Sequence, residues 1–577
     1  MQSYNNPYVI FCIMAAAVVL IYILWILYEK KRQKQAVLRQ IRRRWGKAPE
    51  QEYATGDIEK ISHYFRRREG QGFCIDDITW NDLDMDRMFM LLNQTMSSPG
   101  EDVLYDMLRR PMFHREEMEK REKLIRFFSD NDDKREQMQL YLSRVGKNGY
   151  GGSLSDVILS LEKAPKVSPL THWILLAALL ASLGMMIMSP VKGFFFFLIL
   201  SVVNVVHYYT GEDRTRIAAF LDCFSSLLHM LSVADQMETV RWEETKDQME
   251  RIRKGKQAFK SLKKRAVFIT SKNGGTGDPA QLLLDYVRMV FHIDILTYNG
   301  TLKLVQGKTD DIMMLLDALG ELDAAIAIAS LRKLLPLWCY PAFEEQSGEK
   351  HIVMEAEDLY HPLIQEPVAN SIRAESGILV TGSNASGKST FLKIVAINAI
   401  LAQTVLTCTC SSYRAPVMKV MTSMALRDDL SGGESYFIVE IKSLKRILDE
   451  SEKEEPLLCI IDEVLRGTNT IERIAASSQI LARLDRPWVL PFAATHDIEL
   501  SRILRKHYRN CHFEEEVREH QVIFNYLLKE GPATSRNAIR LLDMLEYDPA
   551  LVQAAQNSAE RFDRDGVWEE IHENSIL

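Results

Sequence analysis

Eight consecutive residues, Gly382-Ser383-Asn384-Ala385-Ser386-Gly387-Lys388-Ser389, have the types and spacing to hold a polyphosphate. They fit G-x-x-x-x-G-K-[ST] at every fixed position. In such a loop the glycines let backbone N–H groups turn inward around phosphate oxygens, and the N-terminus of the next helix adds positive potential. Lys388 would reach the outer phosphates, and Ser389 would ligate Mg2+. About 75 residues on, Asp462-Glu463 ends an apolar run, with Asp462 placed to hold Mg2+ and Glu463 to orient or deprotonate an attacking water. Thr495-His496 ends a third apolar run, where His496 could sense a γ-phosphate. The bland alternatives are a glycine turn, a strand that ends in acids and a strand-end histidine.

The flanking elements decide between these readings. Gly377-Ile378-Leu379-Val380 reads as a strand ahead of the loop, and Phe391-Leu392-Lys393-Ile394-Val395-Ala396 as a helix behind it. That is the strand–loop–helix context the chemistry needs. Pro456 to Asp462 and Trp488 to Thr495 read as two further buried strands, so the chemistry sits on an α/β unit.

Between the loop and Asp462 lies Asp428-Asp429-Leu430-Ser431-Gly432-Gly433-Glu434-Ser435. Leu430 to Gly433 looks like the signature loop of ABC-type ATPases, which caps the γ-phosphate of a neighbouring subunit. That resemblance implies a dimer with composite sites. Lys388 and Ser431 are only 43 residues apart (431 − 388), with one helix and a short strand pair expected between them, whereas ABC transporters separate the two elements much further.

The compact layout resembles the MutS family of DNA mismatch-repair ATPases. The carrying residues are Thr381 to Thr390, Leu401-Ala402-Gln403, Asp428-Asp429-Leu430, Gly433 to Glu440, Asp462 to Thr470 and Ala494-Thr495-His496. Tyr360-His361-Pro362 resembles the family's lead-in to this domain, and Tyr526 to Gly531 with Ser535 its closing helical segment. The resemblance covers about residues 350–555. It implies ATP and Mg2+ as cofactors, with Gly382, Ser383, Asn384, Ala385, Ser386, Gly387, Lys388, Ser389 and Thr390 around the nucleotide. Ser389 and Asp462 would hold the metal, Lys388, Glu463 and His496 would be catalytic, and Ser435 would reach in trans to the partner's γ-phosphate. Tyr436 stands where a threonine is usual, and Leu465 replaces a glycine; neither change removes a catalytic group. Upstream, Thr79 to Asp84, Asn93-Gln94-Thr95, Gly100 to Tyr105, Leu108 to Pro111 and Arg121 resemble the family's helical core. Leu319 to Ala325 resembles the return of its lever helices.

Mismatch readers of the family carry an N-terminal domain with a Phe-x-Glu wedge, a device for kinking DNA. No soluble domain is expected ahead of the core here. Phe343-Glu344-Glu345 and Phe513-Glu514-Glu515 match the tripeptide in the wrong places, so both read as coincidence. In that domain's place, Tyr8 to Tyr28 is an uncharged run of 21 residues, long enough to span a bilayer. It is no cleavable signal, because its basic residues follow it. Lys30 to Lys47 holds nine Lys or Arg and no acid, which places this side in the cytoplasm and the N-terminus outside. The same run also suits anionic headgroups, more than a DNA backbone. Leu170 to Tyr209 reads as a transmembrane hairpin of 19 and 17 residues broken at Ser189 to Gly193, the second arm being short. Lys163 and Lys166 before it, with Arg214 and Arg216 after it, give the same topology. His172, Asn204 and His207 fall near span ends, where water or headgroups would satisfy them; no intramembrane acid–base pair suggests transport.

The fold expected is multidomain, α plus α/β. It comprises a transmembrane anchor and basic collar (1–50), a helical core (51–167), a transmembrane hairpin (168–210), a helical lever region (211–345), an ABC-type P-loop ATPase domain (346–555) and a polar tail (556–577). Asn273 to Pro279 would interrupt the levers. The net charge of −7 gives no global footprint for nucleic acid. Arg251 to Arg265 holds eight basic residues and no acid, and a solvated helix face suits it at least as well as DNA. Of eight cysteines only Cys408-Thr409-Cys410 makes a close pair. It is too tight for a zinc site and reads as core, reduced in the cytosol. The expectation is a multi-pass cell-membrane protein with three spans, homodimeric, its ATPase coupled to mismatched or branched DNA. The alternative is an ABC-type membrane ATPase or a nucleotide-switched scaffold acting on a lipid or protein partner.

Overall fold

The computed structural model describes residues 7–70, 72–147, 158, 160–263, 286–344, 352–383, 386–424, 436–518, 521–533, 539, 542, 546–568 and 570. The expected interruption at Asn273 to Pro279 lies outside them. The chain forms two compact units. One comprises Met1–Gly72, Phe89–Met107 and Arg115–Leu334, and the other Phe73–Met88, Leu108–His114 and Leu335–Leu577.

The first unit is helical throughout its described elements. Its axis is the helix Thr309–Leu334, 26 residues long. From Leu322 to Arg332 every residue of this helix is buried, as expected of a helix with partners on all sides. Asp323 is fully buried on it and accepts from the Met96 N–H at 3.0 Å, the Ser97 N–H at 2.9 Å and the Ser97 hydroxyl at 2.6 Å. Burial pushes its carboxyl up to about 6 against these hydrogen bonds. Gly100 makes the approach possible, because a Cβ there would collide with the Asp323 carboxylate. Two stretches read separately in the sequence, Gly100 to Tyr105 and Leu319 to Ala325, are therefore direct packing partners.

Among the described residues three helical stretches are long and apolar enough to cross a membrane: Leu170–Met188, Pro190–Thr210 and Glu212–Thr239. The first two form the expected hairpin, with a correction. Pro190 sits in the first turn of the second arm, where its missing N–H costs nothing. The arm therefore has 21 residues rather than 17, and only Ser189 separates the two helices. Phe194, Phe195, Phe196, Ile199, Val202 and Val206 are exposed along it. Glu212–Thr239 is different: half of its apolar window is buried, with Phe224, Leu227 and Leu231 in the unit's own core. The anchor expected at Tyr8 to Tyr28 lies within the helix Pro7–Arg44, although several of its side chains, including those at 7–12, are outside the described residues.

Two polar residues of the hairpin have protein partners. His172 is 2% exposed and pairs with the His292 ring at 2.8 Å, and the Asn204 amide donates to the Val290 carbonyl at 2.8 Å. Neither partner was legible, because both lie about 90 or more residues away in sequence. The basic runs are also partly neutralised. Arg42 donates to both Glu136 oxygens at 2.8 Å, Arg251 pairs with Glu321, and Lys256 lies 3.2 Å from Asp235 and 2.9 Å from Glu238.

The second unit holds two sheets. Its strands are β1 (Ala342–Phe343), β2 (Met354–Leu359), β3 (Asn370–Ala374), β4 (Gly377–Thr381), β5 (Ser412–Ala415), β6 (Lys419–Ser423), β7 (Leu457–Asp462), β8 (Val489–Thr495), β9 (Tyr508–Arg518) and β10 (Gln521–Glu530). The smaller sheet runs β1-β5-β2-β3 and the larger β10-β9-β4-β8-β7-β6. In the larger, β9, β4, β8, β7 and β6 are parallel, and β10 closes one edge antiparallel to β9. Every residue of β4, β7 and β8 is buried, which is why these strands read as continuous apolar runs. Two expectations are corrected. Tyr526 to Glu530 belongs to strand β10, not to a closing helix. The strands β5 and β6, expected as a pair, lie in different sheets.

Candidate functional site

The strands β4, β7 and β8 are neighbours and parallel, so their C-terminal ends share one edge of the sheet. That edge is where open α/β sheets bind ligands. The glycine loop leaves β4, Asp462 ends β7 and Thr495 ends β8.

The loop needs its two fixed glycines. Gly382 has φ 147°, and a Cβ there would lie 2.8 Å from the Phe513 carbonyl oxygen. Gly387 has φ 106° and opens the 17-residue helix Lys388–Thr404. Lys388 is buried and donates back to the Gly382 and Ser383 carbonyls at 2.9 and 2.6 Å, with the His496 ring 3.4 Å away. Burial lowers its ammonium to about 8, even with Asp462 and Glu463 nearby. Asn384 and Ala385 lie outside the described residues. Ser386 is buried, Ser383 donates to Glu515 at 2.8 Å, and Thr390 lines the cavity beside the loop.

Asp462 is buried, which raises its carboxyl, and it accepts a hydrogen bond from Ser389. Its Oδ1 is buried with no hydrogen-bond partner among the described residues. A hydroxyl beside an unpartnered carboxylate oxygen is a donor set that fits Mg2+. Glu463 lies 2.8 Å from the His496 Nε2 and is paired with Arg466. Burial would raise its carboxyl, and the Arg466 and His496 hydrogen bonds outweigh it, holding the group down to about 2. Its backbone is left-handed at φ 57°, and Leu465 follows at φ 59°. Glu440, buried on the helix Tyr436–Ser451, accepts from the Leu465 and Arg466 N–H groups and so fixes this turn.

Lys388, Ser389, Glu463, Arg466 and His496 line a cavity of about 570 Å³, within the range of small-molecule sites. Its far wall is mixed: His361, Ile364, Val368, Phe513 and Tyr526. The Asn370 side chain donates to the Tyr526 carbonyl at 3.0 Å and accepts from the Leu528 N–H at 2.7 Å, fixing that edge of β10.

The structure thus brings Lys388, Ser389, Asp462, Glu463 and His496 together. Ser435 and the whole Asp428 to Ser435 stretch lie outside the described residues. Sequence reasoning missed Glu440 and Arg466 as parts of the site, although both stood inside quoted motifs. It also missed the cavity wall, for which no local signal exists. Phe513 packs against Phe391 at 5.9 Å between ring centres and Phe343 sits on β1, so neither is placed as an N-terminal wedge.

Fold and loop together define a parallel α/β unit with a glycine loop between strand and helix at the sheet's C-terminal edge. A family profile for MutS domain V matches residues 378–563. Over 223 residues the chain is 30% identical to the DNA mismatch repair protein MutS of Thermus thermophilus, in two strains of that organism alike. Each match covers 37% of this chain and 27% of the relative, so the chain spans about a quarter of the length of the curated relatives it matches. The C-terminal region is thus similar to MutS domain V.

Proposed function

We propose that this chain is a membrane-anchored, MutS-like ATPase that hydrolyses ATP at composite sites in a homodimer and couples this to DNA. The observation that carries the reading is the convergence of Lys388, Ser389, Glu463 and His496 on one cavity, with Asp462 hydrogen-bonded to Ser389. Lys388 would exchange its two loop carbonyls for phosphate oxygens. Ser389 and Asp462 would hold Mg2+, which neutralises phosphate charge. Glu463, ionised by its partners, would orient the attacking water and take its proton, and His496 would fix the Glu463 carboxylate. Ser435 would complete the partner's site. The hairpin and the helix Pro7–Arg44 would anchor the chain, with the helical core and the α/β unit cytoplasmic. The exposed apolar face of the hairpin supports that anchoring.

The test is the ATPase rate of the detergent-purified protein with homoduplex, mismatched or branched DNA, with Lys388→Ala as the blank. Stimulation by one DNA form, lost in the blank, is the expected result. A robust rate indifferent to all DNA would replace this reading by the second one, an ATPase or switch acting on a lipid or protein partner. The second reading draws on the ion pairs that occupy Arg42, Arg251 and Lys256, which leave less basic surface for a nucleic-acid backbone.

A further inference from the structure

Two thiols one residue apart make no ligand set, and Cys408-Thr409-Cys410 reads as core on that ground. The fold adds a third thiol from 69 residues upstream (408 − 339). Cys339 and Cys408 are direct antiparallel partners that exchange both backbone hydrogen bonds, each at 3.0 Å. Direct partners put their side chains on one face of a ladder, and the residue two further along stays on that face. Cys339, Cys408 and Cys410 therefore point to one place. Their Sγ atoms all lie within 4.8 Å of one another, and those of Cys339 and Cys410 are 3.5 Å apart. All three are free thiols; Cys408 and Cys410 are fully buried, and Cys339 is half-buried.

We propose that Cys339, Cys408 and Cys410 form a three-thiolate site for a soft d10 cation of the Zn2+ or Cu+ class. Three sulfurs each about 2.3 Å from a common ion stand roughly 4 Å from one another, close to the spacing already present. Sulfur ligands select such ions over Mg2+, so the site does not compete with the Ser389–Asp462 pair. The frame is built before any ion arrives. Asn398 accepts from the Thr409 N–H at 2.6 Å, the Thr409 hydroxyl donates to the Tyr360 carbonyl at 2.8 Å, and the Tyr360 hydroxyl donates to the Leu337 carbonyl at 2.6 Å. These bonds fix both backbone segments that carry the sulfurs, as supporting shells do at metal sites. The half-buried Cys339 gives the ion its way in. Binding would release the thiol protons to water and would tie the segment leading into β1 to the stretch just past the phosphate-loop helix.

The experiment uses reduced, metal-stripped full-length protein in detergent, under argon. It is titrated with Co2+ and then Zn2+, and in a separate arm with Cu+ against a chromophoric Cu+ chelator. The expected result is one ion per chain, with a thiolate-to-cobalt charge-transfer band that Zn2+ abolishes, or stoichiometric withdrawal of Cu+ from the chelator. Binding should vanish in Cys339→Ser, chosen because its side chain is half-buried, and persist in Cys74→Ser. Circular dichroism of Cys339→Ser should match the parent, so that loss of the ion is not loss of fold. Should Cys339→Ser disrupt the fold, the parent protein decides: alkylation of Cys339, Cys408 and Cys410 read by mass spectrometry should be blocked by the ion. Equal binding in Cys339→Ser and parent, no binding of either ion, or alkylation indifferent to the ion would overturn the site. None of these readouts depends on nucleotide hydrolysis, so the site and the ATPase reading fail independently.

Discussion

Each unit encloses a carboxylate, Asp323 fully and Glu463 partly, and the two are shifted in opposite directions. In the helical unit Asp323 is enclosed by neutral donors, the Met96 and Ser97 N–H groups and the Ser97 hydroxyl, and burial raises its carboxyl to about 6. In the α/β unit Glu463 is less enclosed and faces Arg466 and His496, which hold it down to about 2. The first arrangement joins a helix to a loop and offers nothing to a ligand. The second keeps a negative oxygen at the rim of a cavity. Partners, more than burial, decide which way each carboxyl shifts.

The largest effects should come from breaking the reactive arrangement. Glu463→Gln keeps the shape and removes the proposed base. ATP turnover should fall by about 10²- to 10⁴-fold, measured as single-turnover phosphate release, while ATP still binds. Normal turnover would remove Glu463 from the chemistry. Lys388→Ala should instead abolish ATP binding itself in a filter or fluorescence assay.

The structural acid should fail differently. Gly100→Ala pushes a methyl group into the Asp323 carboxylate, combining overpacking with displaced hydrogen bonds. A loss of about 3 kcal/mol is expected in the unfolding of the helical unit. Limited proteolysis should show new cuts between 93 and 145, with ATP binding at the other unit unchanged. If ATP binding fell as much as stability, the two carboxylates would not be independent.

The two regions were also unequally legible. Every group of the reactive arrangement except Arg466 and Glu440 announces itself in a short motif, because phosphate chemistry needs contiguous glycines and strand-end acids. Strands β4, β7 and β8 followed from their apolar runs. The Asp323 junction did not, although Gly100 and Asp323 both sit in recognisable stretches, because their contact spans more than two hundred residues. The same limit hid the His172–His292 pair and the third thiol at Cys339. Tyr526 to Glu530, which the resemblance assigns to a closing helix, is strand through its pairing with β9, which no local periodicity reports.

Opposite shifts predict opposite pH behaviour. Asp323 has a folded value raised to about 6 from 3.8, so its contribution is fully present below the ordinary value and is lost as pH rises through 6. Glu463, depressed to about 2 from 4.5, contributes above its ordinary value and loses this only as pH falls towards 2. Between pH 4 and 6 the helical unit of the parent should therefore weaken relative to Asp323→Asn, by at most about 1.4 kcal/mol per pH unit, read from urea midpoints. Parallel curves for the two proteins would mean that Asp323 is ionised throughout. In the other unit Lys388 at about 8 gives the matching test. ATP affinity should drop above that pH by up to about tenfold per unit; affinity unchanged through about pH 9 would mean that Lys388 keeps its proton.

The smallest effect separates backbone from side chain at the turn that carries Glu463. Leu465 stands where the resembling family uses glycine, and its φ of 59° is the left-handed conformation glycine favours. Leucine survives there because its side chain is 6% exposed in the core beneath the sheet, and that burial outweighs a backbone cost of about 1–2 kcal/mol. Leu465→Ala and Leu465→Gly both empty the same space, so both should destabilise the α/β unit. They differ in backbone strain, set against one buried methyl and the larger chain entropy of glycine. Glycine should be the milder change by about 1 kcal/mol, the reverse of the usual order in a rigid element. Urea midpoints of the two variants, compared with each other rather than with the parent, isolate that difference. Alanine proving the more stable would show that the turn relaxes out of the left-handed region, and the strained backbone would then contribute nothing to holding Glu463 against His496.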